Sequence, residues 1–401
     1  MDTKNIAVKF VSLAVFAAAA LCASCAGQSP EAAAANAPAP AHNFAGFKRG
    51  MGIGGWLTNY KRFNVLPEKW RTPLTVGDFE HFNTYITEAD IKYIASLGLD
   101  HVRVGFDQIV VEKSRGVYRE EIFALLDNFV KWCHKYDLQI VFNMHKAVGN
   151  YADIKEDVGL LDSRELQDRF IDVWLAFEDR YADDNTIVFE LLNEVRNVDP
   201  QKWNDLADRA VKAIRAKNKT RRIIIGSVSW NSPDRLKDLR LYDDPNIGYT
   251  FHMYAPNEFT HQRGVLQAPH LFYNRAIEYP SSMDKLIEFR KCIGAGWNDY
   301  KKYSRFDIQF LRDKLAGAFA FAKKHPDKFL WNGEFGTIRH ADITSRENYT
   351  ADIVKLMREH RIPYCFWNYL STPNDGNRFS LVDDDTRKVL SPRLESIIRG
   401  R

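Results

Sequence analysis

Neither sign of charge dominates this chain. Its 56 Lys and Arg stand against 52 Asp and Glu, a net charge of only +4, which excludes the basic stripe that a polyanion-binding surface requires. Nucleic acid is therefore not an expected partner. Cysteine is scarce, 5 in 401 residues, and the CxxC pair Cys22 and Cys25 has no second pair to complete a zinc site. There is no GxSxG elbow and no HExxH pair, and the Gly-rich MGIGG is read as the first barrel strand and not as a nucleotide site. Serine hydrolysis, zinc proteolysis and nicotinamide chemistry are thus not expected, and neither a metal nor a cofactor is expected. The apolar stretch from Phe10 to Leu21 is too short for a membrane span.

That stretch follows Lys4 and Lys9 and precedes small residues, which reads as an export signal over residues 1–25. Cys25, after Ala23 and Ser24, looks like the lipid-accepting cysteine of a bacterial lipoprotein, although Cys22 stands where a branched apolar residue is usual. Simple signal cleavage is the alternative. The expectation is an exported monomer: an outer-membrane or cell-surface lipoprotein tethered through Cys25, or a periplasmic or secreted protein. Residues 26–43 are rich in Ala and Pro and read as a tether. Cys133 and Cys365 are expected as reduced core residues, and Cys292 is unassigned.

What is abundant is aromatic. Phe, Trp and Tyr make up 13% of the chain, with 9 Trp and 17 Tyr, enough to furnish sugar-stacking faces as well as a core. Eight apolar, β-branched runs recur from residue 51 onward: MGIGGW, DHVRVGF, QIVFNMH, IVFELLNE, RRIIIGS, IGYTFHMY, KFLWNGEF and PYCFWNY. Amphipathic segments separate most of them, at Thr87–Leu97, Glu120–Tyr136, Ser163–Tyr181, Pro200–Ala216, Phe306–Lys324 and Ser345–His360. Thr87 ahead of Glu88 and Asp90, with Gly98 beyond, marks one helix at both ends. This alternation predicts an α/β fold, a (β/α)8 barrel over residues 44–401. The interval 256–305, after the sixth strand, is long and aromatic and is expected to be an insertion subdomain at the active-site face.

Two of the runs end in a carboxylate: Glu194 after Asn193 in FELLNEV, and Glu334 in FLWNGEFG. In a barrel such residues lie at the face where the loops build the active site. Cleaving a glycosidic bond needs one acid to protonate the leaving oxygen and a second carboxylate to meet the developing positive charge. A lone glutamate is usually only a solvated charge, but these two have company. Arg103 lies in the second run, His145 ends the third, His252 and Tyr254 end the sixth, and Trp367 is in the eighth. Each has a plain reading, as a surface ion pair, a satisfied core histidine or a packed indole. Together they line one end of the barrel.

In order and strand placement these residues resemble the active-site set of the family 5 glycoside hydrolases, retaining β-glycanases with a barrel fold. The likeness runs from about Gly52 to the carboxyl terminus. Within the family the chain is similar to a clostridial-type endoglucanase group with a helical insertion after strand six, through GGWLTNYKRF, HVRVGFD, TFHMYAPNEFTHQ and Trp367-Asn368-Tyr369. It departs at Gly105, where a proline is common, and at Lys146, where a second histidine often follows His145.

The resemblance implies hydrolysis of β-1,4 and mixed β-1,3/1,4-glucans, and the chemistry agrees on roles. Glu194 would be the acid and base, with Asn193 holding the sugar 2-hydroxyl, and Glu334 the nucleophile. Arg103 would favour the charged form of Glu334, with Tyr254 donating to the same carboxylate. His145 and His252 would contact sugar hydroxyls or orient neighbours. Trp367 would be a sugar platform, with Trp56 and Trp230 serving adjacent subsites. If the carboxylates stand roughly 5 to 5.5 Å apart, the anomeric configuration is retained. The same scaffold also suits a β-mannanase or an exo-β-1,3-glucanase. A glycan-binding lipoprotein without turnover is a rival from another class, disfavoured because both glutamates are present.

Overall fold

A computed structural model describes residues 42–60, 74–150, 159–372 and 376–401. The expected export signal, the tether and Cys22 and Cys25 lie outside these residues, apart from the last two tether positions. Among the described residues, no helix is long and apolar enough to cross a membrane.

All eight expected strands form. They are β1 (Arg49–Leu57), β2 (His101–Asp107), β3 (Gln139–Lys146), β4 (Ile187–Glu190), β5 (Arg222–Gly226), β6 (Ile247–Met253), β7 (Phe329–Phe335) and β8 (Tyr364–Phe366). Every neighbouring pair is parallel, and β1 closes on both β2 and β8, so the sheet is a closed barrel. Strands buried on both faces explain why the runs are continuously apolar and do not alternate. Helices follow the strands: α1 (Glu88–Ser96), α2 (Glu120–Lys135), α3 (Arg164–Tyr181), α4 (Pro200–Lys217), α5 (Ile308–Lys314) and α6 (Ala316–Lys324), both after β6, α7 (Ile343–Glu359) and α8 (Pro392–Ile398), while a short 3-10 helix, Pro233–Asp238, takes the helix position after β5. The chain is thus a (β/α)8 barrel.

Local chemistry sets the helix ends. Asp90 accepts from both the Thr87 amide at 2.8 Å and its hydroxyl at 2.7 Å, opening α1, and Gly98 at φ 71° stops it. Ser163 caps α3, and Asp199 followed by Pro200 opens α4. One expected helix, Phe306–Lys324, is divided at Leu315 into α5 and α6. Just past the division, Gly317 packs so closely on the turn after β5 that a Cβ would fall 2.6 Å from the Pro233 carbonyl.

The segment after β6 holds three short α-helices, Asn257–Thr260, Ala268–Tyr273 and Asp284–Cys292, a 3-10 helix, Asn298–Tyr300, and a two-residue antiparallel pairing of Ser281–Ser282 with Arg305–Phe306. Its aromatics Phe259, Tyr279, Tyr300 and Phe306 are buried. Phe259 packs edge-on to Phe306 at 5.4 Å, Tyr279 edge-on at 4.8 Å, and both touch Tyr349 of α7. Cys133 and Cys365 are buried free thiols, and Cys292 is exposed.

Candidate active site

The carboxyl ends of the strands converge on Arg103, which β2 places wholly inside the barrel. A buried guanidinium needs partners for its donors, and here every branch has one. Nε donates to Glu190 Oε2 at 2.5 Å and Nη2 to Glu190 Oε1 at 2.9 Å, a bidentate pair. Nη2 also reaches Asn193 Oδ1 at 2.8 Å, and Nη1 donates to Glu334 Oε1. Burial opposes the charge on Arg103, but Glu190 and Glu334 outweigh it and hold the guanidinium protonated. Arg103 is therefore the fixed cation around which β4 and β7 are oriented.

Glu334 receives a second donor, the Tyr254 hydroxyl, at 2.9 Å from Oε2. Burial and the adjacent Glu334 push the Tyr254 phenol well above its usual range, so it stays a donor. Glu194 stands apart. It takes a left-handed backbone at φ 41°, its side chain is 24% exposed against 5% for Glu334, and its Oε1 lies 2.8 Å from His252 Nδ1. One carboxylate is thus clamped by a cation and a phenol, while the other faces solvent with a histidine behind it. An oxygen of each lies within 4.8 Å of the other.

The two histidines are held by amide side chains. His145 Nε2 faces the amide nitrogens of Asn59 at 3.2 Å and Asn193 at 3.5 Å, and its Nδ1 faces Asn143 Oδ1 at 3.0 Å. That pattern suits a ring that donates from Nδ1 and accepts at Nε2. His252 is held by Asn231 Nδ2, 3.1 Å from its Nε2, and burial lowers its pKa to about 4, so it is neutral near pH 7. Trp367 stacks on His145, with centroids 5.6 Å apart and planes 11° off parallel. Gly52 and Gly54 leave room for its indole: a Cβ on either would come within 2.7 Å of a ring carbon. The Trp367-Asn368 peptide is cis.

The two departures from the family pattern have local settings. At Gly105 a Cβ would fall 2.7 Å from Thr58 Cγ2 and 3.1 Å from His145 Nδ1, so glycine is what lets His145 occupy its place. Lys146 is buried and pairs in register with Asp107 of β2.

Of the expected residues, the structure brings Arg103, His145, Asn193, Glu194, His252, Tyr254, Glu334 and Trp367 into one connected network. Trp230 lies beside them, half exposed, its amide bonded to the Val195 carbonyl at 2.8 Å. Trp56 requires a correction. It is 1% exposed, donates its indole N–H to the Phe82 carbonyl at 2.7 Å and packs on Phe129 of α2, so it belongs to the layer between barrel and helices. Glu190 and Asn231 were not anticipated. A glutamate inside the apolar run IVFELLNE was the available signal for Glu190, because a charge is rarely fully buried without a partner.

Glu194, His252 and Glu334 are the one group among the described residues with three metal-ligating atoms in mutual reach. Those atoms are already engaged: Glu334 by Arg103 and Tyr254, Glu194 by His252. The donor set fits an acid pair held by protein hydrogen bonds better than a cation site.

Residues 64–372 match the model of the cellulase family, glycosyl hydrolase family 5. Endoglucanase C of Acetivibrio thermocellus is 36% identical over 367 residues, covering 88% of this chain and 98% of that protein. Cellodextrinase A of Ruminococcus flavefaciens is 31% identical over 263 residues, covering 64% and 73%. Thermotoga maritima Cel5A, solved with cellobiose, aligns over 88% of this chain and 97% of its own at 25% identity, with a TM-score of 0.65. The same enzyme solved with mannotriose gives 25% identity over 88% and 97%, with a TM-score of 0.64. A barrel with two carboxylates side by side at one end, a family model spanning most of the chain and a relative covered almost end to end lead to one conclusion: the chain is a glycoside hydrolase and belongs to glycosyl hydrolase family 5.

Proposed function

We propose that the chain is a retaining, endo-acting β-glucanase that cleaves β-1,4 linkages in cellulose-type and mixed-linkage β-1,3/1,4-glucans, with Glu334 as nucleophile and Glu194 as acid and base. The observation that carries the reading is the spacing of the two carboxylates in unlike surroundings. One oxygen of each lies within 4.8 Å of the other, which fits the carboxyl separation of about 5–5.5 Å in a retaining site better than the about 6.5–9.5 Å of an inverting one. Glu334 is held in place by Arg103 and Tyr254, each donating to a different oxygen.

The steps follow. Glu334 attacks the anomeric carbon as its bond to the departing sugar breaks, and Glu194 gives its proton to the departing oxygen. Water then enters, Glu194 takes its proton, and the hydroxide adds to the anomeric carbon as the ester bond to Glu334 breaks. One water is consumed per bond cleaved, and two inversions give net retention. Asn193, fixed by Arg103 through its oxygen, presents its amide nitrogen to the sugar 2-hydroxyl, a contact that strengthens toward the transition state. Trp367 and the half-exposed Trp230 offer flat faces for neighbouring sugars.

Endo action on glucan is supported by the Endoglucanase C relative and by its similar length. β-Mannan is the second reading, favoured by the mannotriose complex of the Thermotoga enzyme. Reducing-sugar release by the protein without residues 1–25 separates them, on mixed-linkage glucan, carboxymethylcellulose, mannan and laminarin with Glu334→Gln as control. Release from the first two, lost in the variant, supports the glucanase reading; release from mannan alone replaces it. The export reading includes lipidation at Cys25, which intact mass of membrane-extracted protein tests: a mature terminus without acyl mass removes it.

A further inference from the structure

Behind the proposed acid and base lies a turn whose backbone is costly. Ser229, Trp230 and Asn231 are consecutive non-glycine residues at φ 58°, 58° and 55°, a left-handed run that L-residues rarely adopt. It is stitched to the segment just past Glu194: Ser229 N–H donates to the Arg196 carbonyl at 3.1 Å, and Trp230 N–H to that of Val195 at 2.8 Å. Strain kept at such a place calls for a functional explanation. The run sends neighbouring side chains in opposite directions, leaving Trp230 half exposed and Asn231 fully buried with its amide nitrogen 3.1 Å from His252 Nε2. Gly226 completes the fit, since a Cβ there would fall 2.4 Å from Asn231 Oδ1. Asn231, His252 and Glu194 thus form a chain of contacts of 3.1 and 2.8 Å that ends on a carboxylate.

We propose that Asn231 is a positioning residue for catalysis. By donating to His252 Nε2 it fixes the proton of the neutral imidazole on Nδ1, so that His252 donates to Glu194 Oε1 and keeps the exchangeable proton of Glu194 on the side of the glycosidic oxygen. The inference rests on the reading of Glu194 as acid and base. Without the amide the ring proton can move to Nε2, which turns the Nδ1 lone pair toward Glu194. A protonated Glu194 then donates to His252 and not to the leaving group. Other groups also face the ring: Glu334 Oε2 lies 3.6 Å from Nδ1, Tyr254 is edge-on at 6.5 Å, and Arg103 and Glu190 act on it electrostatically. None of them is altered by substitution at 231.

The test compares kcat/KM across pH for aryl β-cellobiosides with poor and good leaving groups, in the wild type, Asn231→Ala, Asn231→Asp and Glu194→Gln. A poor leaving group needs the acid; a good one does not. Asn231→Ala should lose about tenfold or more on the poor leaving group and little on the good one, with its alkaline limb moved to higher pH. Asn231→Asp places a carboxylate against His252, favours the imidazolium and so the ionised Glu194, and should move that limb to lower pH. This isosteric variant carries the test if the alanine variant fails to fold. An equal loss on both leaving groups with unmoved limbs would make Asn231 merely structural and overturn the inference. Glu194→Gln separates the two failures. If it shows the leaving-group dependence and the Asn231 variants do not, only the inference falls; if it shows none, the acid and base assignment falls with it.

Discussion

Replacing Arg103 by methionine probes the centre of the site, because the variant keeps an unbranched apolar stem while removing the guanidinium and every hydrogen bond it makes. Two carboxylates then lose their cation: Glu190, whose side chain is 0% exposed, and Glu334 at 5%. Breaking a buried ion pair from one side costs about 3–5 kcal/mol, because the remaining charge stays desolvated. At about 1.2 °C per kcal/mol for a chain of this size, the melting midpoint should fall by roughly 4–6 °C. Activity should suffer separately. The lost contact to Glu334 is a charge-assisted hydrogen bond worth about 1.5–3 kcal/mol, or roughly 10- to 150-fold in kcat/KM. Arg103→Lys keeps the charge but not the bidentate fork to Glu190, and should fall between wild type and methionine on both measures. Scanning calorimetry and initial rates on a soluble oligosaccharide suffice. The reasoning is refuted if Arg103→Met melts within about 1 °C of wild type, on the same scale of about 1.2 °C per kcal/mol, and retains full kcat/KM.

Other outcomes follow from particular contacts. Gly54→Ala puts a Cβ 2.6 Å from Trp367 Cζ2, so the indole must retreat about 1 Å to ordinary contact; a shift of that size costs about 100-fold in kcat/KM, measurable on cello-oligosaccharides. His252, with its pKa lowered from 6.5 to about 4 by burial, makes stability depend on pH. Its contribution is fully present above pH 6.5 and is lost as pH falls toward 4, because the unfolded chain binds a proton that the native ring refuses. The loss is about 3 kcal/mol across that window, and His252→Gln should flatten this part of the denaturation-versus-pH curve.

Much of this architecture was legible because a strand buried on both faces writes itself as a continuous apolar run, and eight such runs alternated with capped amphipathic segments. The carboxylates were legible for the same reason, each ending a run whose direction fixed its face. Trp56 was not. The pairing of β1 with β2 shifts register between Ile53 and Leu57, where Gly55 takes φ 77°, and such an irregularity defeats any count of alternate faces along the strand. Glu190 was hidden by its apolar neighbours, since only the fold brings it against Arg103, 87 positions earlier. Asn231 was hidden because its role depends on three left-handed residues in a row, with no glycine among them to advertise the turn.

The central claim is that Glu334 and Glu194 carry out a double displacement, and the anomer first released by the enzyme tests it most directly. Proton NMR of a β-linked cello-oligosaccharide in the first moments of hydrolysis, before mutarotation, should show the β-anomer growing first. Initial release of the α-anomer would contradict the nucleophilic role of Glu334 and the mechanism built on it.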